Sequence, residues 1–298
     1  MGEHLFLRAT VISAIRRFFA QRGFLEVETP LRIPAPAPEI HLDAQASGDW
    51  YLQTSPELCM KRLLAAGYDR IFQICKCFRK GERGRFHLPE FTLLEWYAAN
   101  TDYRDMMAQT EDLVRHAARE IGLKTTLHFK GHAVDLESPW QRTSVRDAFE
   151  RYAAVSLDEA LSRNVFEEIL TEVVEPFLGI PSPVFLFDYP AEMGALARLK
   201  PENPRYAERF ELYIAGVEIC NAFSELTDPE EQRNRFEKDI RARESLGKEI
   251  YPEAVHFLES LTEMPEASGN ALGVDRLVMV LGNLDDIDAV TAFTPEDL

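Results

Sequence analysis

Residues 77–97 read CFRKGERGRFHLPEFTLLEWY and hold Arg79, Lys80, Arg83, Arg85 and His87 within nine positions. Arg79 follows an apolar run, IFQICKCF, which predicts a strand end that holds the side chain firmly. A guanidinium there offers a planar fork of donors suited to phosphate or carboxylate oxygens. A solvated hairpin loop would carry the same charges. The second half of the stretch argues for more than a loop. Strand alternation puts Phe91, Leu93, Glu95 and Tyr97 on one face. An acid set between aromatics is costly to bury unless a cation meets it, either a buried arginine or the ammonium of a ligand.

Two further constellations carry possible chemistry. In ELYIAGVEICNAFSEL, Glu211 and Glu218 lie on the two sides of a hairpin with Gly216 in its turn, and Asn221 and Glu225 follow. Two facing carboxylates without a basic neighbour point to magnesium, which prefers oxygen ligands. Surface acids on an edge strand would read the same way. In SGNALGVDRL, Gly269 and Gly273 allow close approach to the backbone, and Arg276 opens a helix; an Asp275–Arg276 surface pair is the plainer alternative. Cys75 and Cys77 share one side of a strand without a second cysteine pair at zinc-ligand spacing, so they read as buried structural residues.

These groups need elements to position them. Leu7, Val11, Ile12, Ile15, Phe18 and Phe19 recur at helical spacing up to a stop at Gly23. FLEVETP then alternates as a strand ended by Pro30, and IPAPAPEI is a stiff extended loop. The segment 51–78 reads strand, helix, strand, with Thr54 or Ser55 as helix cap and Gly67 as stop. FTLLEWYAA is a strand, 102–121 an amphipathic helix, and 140–180 mostly helical. PVFLFDYP and ERFELYIAGVEICNAFSEL are strands, and DPEEQRNRFEKDIRARESLG is a helix capped by Asp228. SGNALGVDRLVMVLG is a strand turning into a helix. Helices mixed with hairpin-connected strands predict one α+β domain on an antiparallel sheet, spanning 1–298.

Composition narrows the function. The 298 residues contain 33 Lys and Arg against 50 Asp and Glu, a formal charge of −17, which opposes broad binding to nucleic acid. No apolar run is long enough to predict a membrane helix, and the charged N-terminus does not resemble a secretory signal. Four cysteines (59, 75, 77 and 220) without a disulfide framework suit a reducing cytoplasm.

Taken in order, these stretches resemble the three motifs of the class II aminoacyl-tRNA synthetases. FLEVETP is similar to motif 1, which builds a dimer interface in that family; CFRKGERGRFHLPEFTLLEWY is similar to motif 2, and GNALGVDRL to motif 3. TSPELCMKRLL, HLPEFTLLEWY, DYPAEMGALAR and GVEICNAFSELTDPEEQRNRF resemble the lysyl subgroup in the same order. The match spans nearly the whole chain. A lysyl-tRNA synthetase also carries a β-barrel that reads the anticodon, and here the helix before motif 1 begins almost at Met1. The expectation is a catalytic domain without that barrel, similar to the elongation factor P–(R)-β-lysine ligases. Two departures stand out. The family's Gly-Leu-Gly-Ile-Gly is here Gly269-Asn270-Ala271-Leu272-Gly273, and its Arg-Asn-Glu is Arg79-Lys80-Gly81-Glu82, moving the glutamate by one.

The resemblance implies a cytoplasmic homodimer that uses ATP and Mg²⁺ to activate lysine or (R)-β-lysine as an adenylate. It then transfers the acyl group to a lysine of elongation factor P, with no tRNA and no membrane involved. Arg79 would bridge the substrate carboxylate and the α-phosphate, and Arg276 would bind the γ-phosphate and cover the adenine opposite Phe91. Lys80, Gly81, Glu82, His87, Leu88, Ile219 and Gly273 would complete the ATP site, with Arg85 near the outer phosphates. Glu211 and Glu218 would hold magnesium. Glu225 and Glu95, with Tyr97, would meet the side-chain ammonium. Ser55, Pro56 and Glu57 would take the other amine, and Asn221 the carboxylate region. Ala271 would reshape the pocket wall for an amine shifted by one carbon, about 1.5 Å. The rival readings are a trimmed synthetase charging tRNA with lysine, a non-catalytic lysine or ATP sensor, and an amide ligase for another amino acid.

Overall fold

Alternating apolar positions build the framework, seen in a computed structural model that describes residues 2–298, with side chains from His4 onward. The strands are β1 (Leu25–Glu26), β2 (Arg32–Ile33), β3 (Ala46–Ser47), β4 (Trp50–Leu52), β5 (Arg70–Phe78), β6 (Glu90–Ala99) and β7 (Thr126–Phe129). They continue as β8 (His132–Asp135), β9 (Gln141–Ser144), β10 (Val184–Pro190), β11 (Tyr206–Ile214), β12 (Val217–Ser224) and β13 (Ala267–Gly273). Eight form one sheet in the order β1-β5-β6-β13-β12-β11-β10-β9. Its two outer pairs, β1 with β5 and β9 with β10, are parallel, and the pairs between are antiparallel. The class is α+β, as the pattern predicts.

The two faces of β6 divide the labour. Leu94 and Trp96 point into the main core, beneath helices α1 (Gly2–Gln21) and α3 (Tyr103–Glu120) and the helix Val274–Leu281. There Phe19 stacks on Phe72 with ring centroids 4.7 Å apart. Phe91, Leu93, Glu95 and Tyr97 point the other way, into the cavities described below. Helix α2 (Glu57–Ala65) covers one end of that face through Met60 and Leu64, which cluster with Tyr97 and Phe223.

Three local expectations change. Of FLEVETP only Leu25 and Glu26 pair as strand, because the segment sits at the sheet edge with β5 as its single neighbour. Pro56, not Thr54 or Ser55, is the cap residue of α2; the Ser55 hydroxyl accepts the Glu57 N–H but donates to Glu95 instead of closing the helix. Segment 140–180 begins with strand β9 and ends in a π-turn and a 3₁₀ turn, Leu170–Val174 and Glu175–Phe177. The expected strand at 51 is β4, and the β7–β8 hairpin and the strands β2 and β3 that join β4 in a small sheet are additions that the pattern did not predict. No helix among the described residues is long and apolar enough to cross a membrane.

Candidate active site

Strand register lays out the floor of the site. Glu95 on β6 faces Ala271 on β13, Ala271 faces Asn221 on β12, and Asn221 faces Glu211 on β11. One residue pair along, Tyr97 faces Gly269, which faces Phe223. A Cβ on Gly269 would stand 2.3 Å from both Glu225 and Tyr97, so this glycine lets those two side chains close over the strand. Alternation alone would send Glu218 and Asn221 to opposite faces. A bulge at Ile219, where the register shifts between Leu212 and Tyr213, returns Glu218 to the face that carries Asn221.

Two cavities open on this face. The larger, about 350 Å³, is lined by Arg79, Glu82, His87, Leu88, Phe91, Glu211, Glu218, Ile219, Gly273 and Arg276 among others. The smaller, about 70 Å³, is lined by Ser55, Glu57, Glu95, Tyr97, Glu225, Gly269 and their neighbours. Glu39, Arg79, Leu93, Asn221 and Ala271 line both. Arg79 therefore sits at the junction of a cleft with several cations and a pocket rich in carboxylates. Its guanidinium lies 4.9 Å from the Phe91 ring centroid, and Nε is buried without a partner. Glu82, the glutamate displaced by one position, lines the cleft 3.7 Å from Arg79.

Several expectations are redistributed. Arg79 stands over the Phe91 ring, while Arg276 lines the same cleft and donates to the Glu218 carboxylate at 2.9 Å and the Phe86 carbonyl at 3.2 Å. Its other nitrogen is 2.7 Å from His87 Nε2. Burial and the adjoining Arg276 charge lower the His87 pKa, which leaves that nitrogen free to accept. Of the five clustered cations only Arg79 and His87 line the cleft. Arg83 binds Asp288 and Glu296 of the C-terminal segment, and Arg85 donates to the Asp285 carbonyl. Lys80 and Gly81 are exposed outside both cavities, and Pro56 is buried behind Ser55 and Glu57.

The facing carboxylates do have basic neighbours. Arg209, two residues before Glu211 and on the same face of β11, donates to it at 2.7 Å, and Tyr189 and Tyr213 donate to its other oxygen. Burial raises the Glu211 pKa, with Arg209 opposing. Burial acts likewise on Glu218, but Arg276, Arg209 and Arg79 together outweigh it and hold that carboxyl below its usual range. Among the described residues no three or more His, Cys, Asp or Glu side chains gather closely enough to hold a metal alone. Glu211 and Glu218 are thus already held by Arg209 and Arg276, so magnesium there would share them with those arginines and draw its remaining ligands from phosphates and water.

The small pocket already contains a cation. Lys61 on α2 is fully buried, with Nζ 2.5 Å from Glu57 and 2.5 Å from Glu225. Burial opposes its charge, but Glu225 and Glu57 hold its pKa above the usual value. The Glu95 partners are hydroxyls and not a cation: Ser55 donates at 2.6 Å and Tyr97 at 2.7 Å. Neither Glu225 oxygen has a well-oriented hydrogen bond. Burial, with Glu57 adding to it, pushes Glu95 up to about 8. Burial also pushes Glu225 up to about 8, against the pull of Lys61. One ammonium thus faces three carboxyl groups, two of which keep protons near neutrality. A further ammonium would let them ionise. Lys61 and Arg209 escaped the sequence reading, although Lys61 lies four residues after Glu57 on a helix and Arg209 lies two before Glu211 on a strand.

A model of the class II tRNA synthetases (D, K and N) matches residues 1–297. An elongation factor P–(R)-beta-lysine ligase of Erwinia tasmaniensis is 40% identical over 307 residues, covering 98% of this chain and 94% of that protein. Proteins of the same name from Salmonella arizonae and Hamiltonella defensa are 40% and 39% identical, over 98% and 99% of this chain and 94% and 95% of theirs. With its cleft, its acidic pocket and a likeness that spans nearly the whole length of those relatives, the chain belongs to the class II tRNA synthetase family and, within it, to the elongation factor P–(R)-beta-lysine ligases.

Proposed function

We propose that this protein activates (R)-β-lysine with ATP and transfers it to a lysine side chain of elongation factor P. The observation that carries this reading is the placement of Arg79 where the cleft and the acidic pocket meet. A substrate carboxylate and the α-phosphate are both anions, so their reaction needs neutralisation and in-line placement. At the junction Arg79 reaches both reactants. Arg276 and His87 face the outer phosphates, with Phe91 and Gly273 along the nucleotide. Glu211 and Glu218 would hold magnesium, which neutralises phosphate charge when bound. Glu57, Glu95 and Glu225 receive the two ammonium groups, and Asn221 orients the carboxylate. No enzyme nucleophile is required.

Lysine binding should strengthen as pH rises. Below about 8, Glu95 and Glu225 carry protons in the empty pocket, and an ammonium needs them ionised. Binding therefore releases protons, and affinity rises by up to about tenfold per pH unit for each carboxyl that must ionise. Calorimetry in two buffers of different ionisation enthalpy reads the released protons directly. No release at pH 7 contradicts this charge assignment.

Ala271 supports the β-isomer, because its methyl group borders both cavities where a glycine would leave room. Pyrophosphate exchange tests the point. The protein should prefer (R)-β-lysine, and Ala271→Gly should move the preference toward α-lysine by about tenfold, the scale of a methyl-sized change in a pocket. A preference for α-lysine that Ala271→Gly leaves unchanged would sink the assignment.

The net charge of −17 favours a protein acceptor over tRNA, whose phosphates it repels. Exposed Leu25 within the motif 1 segment and Leu31 just after it support a homodimer through that region. Four free cysteines suit a cytoplasmic setting.

A further inference from the structure

A third cavity, about 480 Å³, adjoins the other two and opens past His41, Glu167, Glu192 and Asp239. Two residues line all three cavities, Glu39 and Asn221, and of these only Glu39 titrates. Glu39 follows Pro38 in the proline-rich loop IPAPAPEI, whose stiffness fixes its backbone. We propose that Glu39 is the base of the transfer step, taking a proton from the acceptor ammonium that arrives through the third cavity. This rests on the functional reading above. The acidic rim suits a cationic side chain, and the cavity reaches Glu39 and Asn221, which also line the two cavities that meet at Arg79.

The Glu39 carboxylate takes one proton from the acceptor ammonium, leaving a neutral amine. The nitrogen lone pair forms a bond to the acyl carbon of the adenylate, and the bond from that carbon to the phosphate oxygen breaks. AMP leaves with the electron pair, and the second proton on nitrogen passes to the departing phosphate or to water. The charged groups facing Glu39 are Arg79 at the end of β5, Glu57 on α2, Arg209 on β11 and Asp239 on the helix Pro229–Ser245. Burial, with Glu57 and Asp239, outweighs the two arginines and pushes Glu39 up to about 7. It is therefore protonated and inactive as a base below about 7 and competent above.

The test uses single-turnover transfer from preformed adenylate, comparing the native protein with Glu39→Gln and Glu39→Asp. Glu39→Gln should keep pyrophosphate exchange within about threefold but lose about 100-fold in transfer to elongation factor P at pH 7. Its residual rate should climb about tenfold per pH unit past pH 8, whereas the native rate levels off above about 7. Glu39→Asp, which keeps a carboxylate, should retain the levelling. Hydroxylamine, largely neutral at pH 7, should accept the acyl group equally fast from the native and Glu39→Gln proteins. Equal loss with both acceptors, or native transfer by Glu39→Gln, overturns the proposal. If the native protein forms adenylate but leaves elongation factor P unmodified, the functional reading fails instead. The same comparison then runs with Nα-acetyl-lysine methyl ester as the amine.

Discussion

Arg79→Ala is expected to lower adenylate formation by at least about 100-fold, the usual scale for removing a donor that meets transition-state charge. Arg79 lines both the cleft and the acidic pocket, whereas Arg276 lines the cleft alone. Its Nε is buried without a partner, so the free protein leaves a donor waiting at the place where charge develops. Its link to Glu82 at 3.7 Å is loose enough to yield to an anion. Lysine affinity should change far less, because the carboxyl groups that meet its ammonium groups remain. Pyrophosphate exchange together with equilibrium lysine binding separates the two effects. Near-native exchange in Arg79→Ala contradicts the placement of the reacting groups.

The second large effect concerns Lys61. Lys61→Met should destabilise the empty protein by about 3 kcal/mol at pH 8, because removing one partner leaves buried carboxylates without a counter-charge. The loss should shrink toward pH 6. The Glu225 carboxyl, pushed up to about 8, is then protonated and no longer needs a cation. Denaturant unfolding at the two pH values measures this. A loss below about 1 kcal/mol, or one independent of pH, would show that Lys61 does not balance the pocket.

Much of this was legible in the residues, and the failures share a cause. The alternation of FTLLEWY correctly placed Phe91, Leu93, Glu95 and Tyr97 on one face, because a strand flanked by partners on both sides keeps its period. The Ala215-Gly216 turn joining β11 and β12 is marked by its glycine, and both residues adopt positive φ. The bulge at Ile219 left no such mark, so the facing of Glu211 and Glu218 was read from the hairpin when the true cross-strand partners are Asn221 and Tyr213. The fates of Arg83 and Arg85 depend on Asp285, Asp288 and Glu296, some two hundred positions away. Local spacing cannot reveal such partners. Glu39 was invisible for the same reason: its significance lies in three cavities built by distant segments, whereas its own neighbours read only as a stiff loop.

The central claim is that one pocket activates a lysine isomer and passes it to a protein. The direct test incubates the protein with ATP, elongation factor P and either α-lysine or (R)-β-lysine, and reads the factor by intact mass. The account predicts a gain of one lysyl group with (R)-β-lysine, less with α-lysine, and none without ATP. An unmodified factor, alongside tRNA charged with lysine in a parallel reaction, would contradict it.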